Sequence, residues 1–202
     1  TKHLGRTVNE TLSQYISYAF SVKGAPDWGW KNRDVEIPPD AELLAGFTPI
    51  MIDFYRQAGL ADLWKQVGPA YEAELQRYHS PILSITNTVD GYLRVPAGGY
   101  LNRRFTVFID LMAAPAQVQI RNYGDDSYVV LTPSEQPRAY DIRHAYLHFE
   151  IDPIVIKYGV ELNLRNSLLD LVEFAPIEEG YKNDFVLLAN ESLIKAVEAR
   201  LD

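Results

Sequence analysis

The stretch Arg143-His144-Ala145-Tyr146-Leu147-His148 decides how the rest of this chain is interpreted. It lies in an apolar segment over residues 138–151 that predicts a helix, which Pro153 ends or kinks. Side chains four residues apart lie one above the other on the same face of a helix. The spacing therefore brings two imidazoles together, where both can bind one metal ion.

The first third of the chain has helical patterning. Apolar residues three and four positions apart predict a helix over residues 12–20 and another over residues 40–54, which Asp40 caps and Pro49 kinks. A third predicted helix runs from Leu60 to about His79. Between the first two, the prolines and tryptophans of residues 27–39 predict an ordered loop.

Residues 82–132 have the composition of strands, because Thr, Val, Ile, Tyr and Gly dominate there. Strands are predicted over residues 93–96 and 104–111, and an antiparallel hairpin is predicted from residues 116–122 and 127–131 around a Gly-Asp turn. Helices follow over residues 162–174 and from about Tyr181 to the end.

This order predicts an α+β fold with N-terminal helices, a small antiparallel or mixed sheet and C-terminal helices. We divide the chain into a helical region, residues 1–80, and a sheet-plus-helix region, residues 81–202, that together form one compact domain.

Composition excludes several classes of function. The 202 residues are 47% hydrophobic and 23% charged, as in an ordinary globular protein. A net charge of −8 without a basic run disfavours nucleic acid as a partner. No stretch approaches the roughly 20 apolar residues of a membrane span. Because residue 1 is Thr, we expect a processed or trimmed chain, which leaves open an extracytoplasmic location after removal of an export signal.

The chain has no cysteine, so any metal ligands must be His, Asp or Glu. A catalytic zinc site takes three protein ligands plus water, and the leading candidate for the third is Glu191, in the Asn190-Glu191 pair of the last predicted helix. The weaker alternatives are Glu161, Glu173, Glu178 and Glu179. The opposing interpretation is that the two histidines belong to an ordinary core and bind no metal.

Other side chains have less specific signals. Asp152 or Asp170 is a candidate for holding the outer nitrogen of a ligand histidine, although a solvated carboxylate is the simpler interpretation. Arg143 is expected to pair with Asp141 or Asp152, or else to bind a substrate carboxylate. Candidates for polarising a carbonyl are Tyr140, Tyr146 and Tyr181.

The arrangement resembles the gluzincins, the thermolysin-like zinc metallopeptidases. In that family a sheet precedes a helix that carries HExxH, and a later helix carries a glutamate ligand, often in an Asn-Glu pair. The matching positions are His144, His148 and Asn190-Glu191, and the resemblance covers roughly residues 104–202. It implies a zincin-like fold, a bound zinc ion, a peptide or protein substrate and zinc-assisted amide hydrolysis.

Two departures from the family matter. Ala145 stands where the family has the glutamate that activates the zinc-bound water, so the resemblance implies a catalytically impaired domain, either a natural pseudo-peptidase or an inactivated variant. Glu191 follows His148 by 43 positions, a longer gap than in thermolysin itself. The alternative is a non-catalytic peptide- or protein-binding scaffold without metal.

Overall fold

The computed structural model describes residues 8–31, 37–95 and 103–202, with side chains from residue 13 onward. The chain has an α+β fold, as predicted. Its contacts divide it into two units, one that ends at Glu72 and one that runs from Ala73 to Asp202. Within the described residues, no helix combines the length and the apolar character that crossing a membrane requires.

The first unit is helical. Its described elements are α1 (Val8–Ser21), α2 (Pro39–Glu42), a 3₁₀ turn (Ala45–Phe47), α3 (Thr48–Gln57) and the start of α4 (Leu60–Leu93). The prediction of a helix over residues 12–20 is confirmed. A single helix over residues 40–54 is wrong, because Pro49 lies in the first turn of α3, where a proline loses no helical hydrogen bond. Part of the predicted loop, residues 32–36, lies outside the described residues.

The second unit contains a three-stranded mixed sheet. β1 (Arg104–Ile109) pairs in parallel with β3 (Asp126–Leu131), and β2 (Val118–Tyr123) pairs with β3 in antiparallel orientation. The predicted hairpin is therefore confirmed, with Gly124 at positive φ in its turn. The predicted strand over residues 93–96 is wrong in its described part, because Leu93 is the last residue of α4. Pro96 lies outside the described residues.

α4 continues well past its predicted end at His79. Ile82 and Ile85 have β-branched side chains, which are typical of strands, but helical spacing. Both pack against a buried cluster that includes Val129 and Leu131 of β3. Val89, one turn later, is fully buried in a second cluster, which includes Leu147 and Ile194. Packing of this apolar stripe outweighs the small helix penalty of β-branched residues.

α5 (Ala139–Lys157) lies at the centre of this unit and passes through Pro153 without ending. Pro153 lacks the N–H that would bond to the carbonyl of Phe149, one turn earlier. The guanidinium of Arg103 donates a hydrogen bond to that carbonyl instead. The structure therefore satisfies the backbone group that the proline leaves free.

The segment after α5 is broken into short helices: α6 (Gly159–Asn163), a 3₁₀ helix (Asn166–Val172), α7 (Glu179–Asn183) and α8 (Phe185–Leu201). The predicted single helices over residues 162–174 and from about Tyr181 onward are therefore wrong. Asp184 separates α7 from α8, and its carboxylate accepts hydrogen bonds from the first free N–H groups of α8.

α5 has two buried faces. Ile142 and Ala145 share a buried cluster with Val129 and Leu131 of β3. Leu147, Ile151 and Val155 share another with Ile194 and Val197 of α8. The helix is therefore fixed between the sheet on one side and α8 on the other.

Candidate metal site between two helices

The packing of α5 against α8 brings His144, His148 and Glu191 together. Oε2 of Glu191 is 3.5 Å from Nε2 of His148 and 3.9 Å from Nε2 of His144. One potential ligand atom from each of the three side chains lies within 4.8 Å of the other two. In a tetrahedral zinc site, such atoms are about 3.3 Å apart. The three side chains therefore need only a small closure to hold a metal ion.

Both imidazoles are oriented by a carboxylate. Nδ1 of His144 is 3.0 Å from Oε1 of Glu198, and Nδ1 of His148 is 2.9 Å from Oδ1 of Asp152. Oδ1 of Asp152 also accepts a hydrogen bond from Asn190. Because carboxylates accept only, each neutral imidazole carries its proton on Nδ1 and has a free lone pair on Nε2. Both Nε2 atoms face Glu191, which is the tautomer and orientation that metal binding requires.

Glu198 also joins the site to Tyr140 and Lys195. Its side chain is 3% exposed, and Oε2 accepts hydrogen bonds from the Tyr140 hydroxyl at 3.0 Å and the Lys195 ammonium at 2.9 Å. Burial alone would raise the pKa of Glu198, but the hydrogen bonds from Lys195, Tyr140 and His144 outweigh it and lower that pKa. The carboxylate therefore stays ionised beside His144.

The hydrogen bond to Asp152 raises the pKa of His148, although burial opposes this shift. A proton therefore competes with a metal ion for this imidazole, and the proton competes more effectively as the pH falls.

The other candidate ligands do not belong to this group of three. Glu161 lies in α6, Glu173 follows the 3₁₀ helix, and Glu178 and Glu179 lie at the start of α7. Among the residues that the structure describes, the group able to hold a metal consists of His144, His148 and Glu191. Of the two candidates for orienting a histidine, Asp152 contacts His148, whereas Asp170 lies in the 3₁₀ helix.

The predicted partners of Arg143 are wrong. Its guanidinium pairs with Asp202 at 2.5 Å, because the C-terminal end of α8 lies beside α5. Asp141 pairs with Arg138 instead, and Asp152 is engaged with His148.

The three tyrosines have different surroundings. Tyr146 is buried and its hydroxyl donates to Asp90, while Tyr140 bonds to Glu198. Tyr181 lines a cavity beside Glu191, and burial is the main cause that raises its pKa.

Ala145 faces away from the histidines and toward the sheet. It is 1% exposed and shares a buried cluster with Tyr78, Val129, Leu131 and Ile142. The position that carries the general base in HExxH is therefore packed with apolar side chains here, in addition to lacking a carboxylate.

A cavity of about 580 Å³ adjoins Glu191. Its walls come from the segment before α7, from α7 and from one face of α8: Pro176, Ile177, Glu178, Tyr181, Leu188, Glu191, Ser192 and Lys195. Sequence reasoning missed Lys195 and Glu198. Their spacing of four and seven residues from Glu191 places all three on one face of a helix, a signal that was available in the sequence.

Comparisons of this chain with protein-family models, with curated proteins and with solved structures find no match.

Proposed function

We propose that this chain forms a zincin-like domain, related to the gluzincin metallopeptidases, that binds zinc through His144, His148 and Glu191 and has little or no peptidase activity. The observation that supports this most directly is the pair of Nδ1–carboxylate contacts, which leave both Nε2 atoms facing Glu191. Histidines of an ordinary core also need hydrogen-bond partners, but they do not need their second ring nitrogens to face one shared carboxylate.

Zinc suits the donor set. Two imidazole nitrogens and one carboxylate oxygen are the ligands of a common type of catalytic zinc site, which keeps a fourth position open. Zinc bound there would polarise a peptide carbonyl and lower the pKa of water.

The proposed zinc site lacks a side chain that can act as a general base. Ala145 has no group that can accept a proton, and the carboxylates nearest to the histidines already have other partners. Glu198 is held by His144, Tyr140 and Lys195, and Asp152 by His148 and Asn190. Since general base catalysis contributes about 10²–10⁴-fold to rate, we expect activity on peptides lower by at least that factor than in a gluzincin with the glutamate.

Zinc content tests the proposal. The protein is exposed to zinc, desalted and measured by elemental analysis, with His148→Ala as the test variant and His79→Ala as the matched control. His79 lies in α4 and is exposed. We expect one zinc ion per chain in the wild type and in H79A, and loss of zinc in H148A, with circular dichroism showing that H148A is folded. A wild-type chain without zinc, or an H148A chain that keeps it, contradicts the proposal.

A second candidate function is a peptide- or protein-binding scaffold without metal. The observation that favours it is that Glu198 and Asp152 already give both histidines hydrogen-bond partners. In that case a protonated His148 would pair with Asp152 and Glu191. The same zinc measurement separates the two functions, because the scaffold stays free of zinc.

A further inference from the structure

The cavity beside Glu191 has an apolar part and a polar end. Pro176, Ile177 and Leu188 supply the apolar part, whereas Ser192 and Lys195 supply polar groups next to Glu191. The cavity is open to solvent, and its volume of about 580 Å³ lies within the range of sites for small ligands, which combine apolar walls with a few polar groups.

Lys195 is the cation of this cavity, and its side chain is 50% exposed. An ammonium group has three N–H donors. Two of them bond at 2.9 Å to the Tyr140 hydroxyl and to Glu198, whereas Oε1 of Glu191 is 3.6 Å away, too far for a hydrogen bond. One donor therefore stays available for a ligand in the cavity.

Bound zinc would cancel the net negative charge at the cavity. The carboxylates of Glu178, Glu191 and Glu198 carry three negative charges against the one positive charge of Lys195, and this excess would repel an anion. A divalent ion held by Glu191 and the two imidazoles would remove the excess, so that net repulsion no longer opposes a hydrogen bond from Lys195 to an anion.

We propose that the cavity binds a carboxylate that carries an apolar substituent. The carboxylate accepts a hydrogen bond from Lys195, and the substituent packs against Ile177 and Leu188. This inference rests on the proposed zinc site, because without the ion the surrounding carboxylates would repel the anion. Since Ala145 supplies no base, the ligand is bound and not cleaved, as either a free acid or the carboxyl terminus of a peptide.

Calorimetric titration of the zinc-loaded protein tests the inference with three probes. N-acetyl-leucine has both features, N-acetyl-leucinamide lacks the charge, and acetate lacks the apolar group. We expect the amide and acetate to bind at least about tenfold more weakly than N-acetyl-leucine, because each loses one of the two interactions. A tetrapeptide that ends in leucine identifies the source: tighter binding than N-acetyl-leucine indicates a peptide terminus, and equal or weaker binding a free acid.

Two variants locate the ligand. Lys195→Gln is expected to weaken N-acetyl-leucine by about tenfold or more, and Leu188→Ala to weaken it without weakening acetate. Lys157→Gln is the matched control, because it removes the same charge from an exposed residue at the end of α5. Zinc is measured in each variant, so that a loss of metal is not mistaken for a loss of ligand contact.

The outcomes separate this inference from the function on which it rests. A wild-type chain that takes up no zinc overturns both. A zinc-loaded chain that binds neither acid nor amide, or binds both equally well, overturns only the carboxylate site. Should Lys195→Gln lose its zinc, the comparison of acid with amide and the Leu188→Ala variant decide the question.

Discussion

Restoring the missing glutamate is the most informative perturbation of this protein. In a gluzincin cleft, Ala145→Glu would supply a general base and raise peptidase activity. Here Ala145 is 1% exposed and lies among Tyr78, Val129, Leu131 and Ile142. The new side chain would have to enter a packed apolar cluster between α5 and the sheet. We therefore expect no gain of activity and a loss of stability.

The size of the expected stability loss follows from the surroundings of Ala145. Forcing a larger side chain into a packed core costs about 1–3 kcal/mol. Burying a polar group without a hydrogen-bond partner costs about 1–3 kcal/mol more, and a buried glutamate adds the cost of suppressing its charge. The expected loss is therefore at least about 2–6 kcal/mol, a large share of the roughly 5–15 kcal/mol that stabilises a typical domain.

Urea unfolding and a peptidase assay with zinc present measure the two effects. Ala145→Gln is the matched control, because glutamine has nearly the same volume as glutamate without its charge. We expect Ala145→Gln to lose less stability than Ala145→Glu, since only the packing cost and an uncharged polar group remain. Zinc-dependent peptide cleavage by A145E at wild-type stability would refute the reasoning, because it would require residue 145 to face the metal site.

Three further predictions concern separate parts of the second unit. Asp152→Asn removes the carboxylate that holds His148, so zinc affinity measured by competition with a chelator should fall about 10–100-fold. Leu147→Ala opens a cavity at a fully buried position and should lower the free energy of urea unfolding by about 2–5 kcal/mol, whereas Leu187→Ala, at a side chain that is 49% exposed, should lower it less. Burial is the main cause that raises the pKa of Tyr128 above its ordinary 10.0. The stability contributed by the neutral phenol is present below about pH 10 and is lost as the pH rises through the raised pKa. The wild type should therefore lose stability relative to Tyr128→Phe as the pH rises above about 10, and the difference between the two should stay constant below about pH 9.

The accuracy of the sequence-based predictions depended on how local the signal was. The hairpin of β2 and β3 was predictable because alternation and a Gly-containing turn are encoded within 16 consecutive residues, 116–131. The length of α4 was not, since Ile82 and Ile85 have strand-like side chains whose helical state depends on contacts with the sheet. Pro153 was expected to end or kink α5, but Arg103, distant in sequence, bonds to the carbonyl that the proline leaves free.

For the candidate site, too, some features follow from local sequence and others depend on tertiary contacts. The sequence by itself determined that His144 and His148 share a face of one helix and that no cysteine can join them, because helical periodicity and residue type are local properties. Only the tertiary structure decided that Glu191, 43 positions beyond His148, faces both imidazoles, and that Glu198 and Asp152 orient them. It also decided that Ala145 lies in the core, since the packing of α5 between the sheet and α8 fixes which face of the helix each side chain occupies.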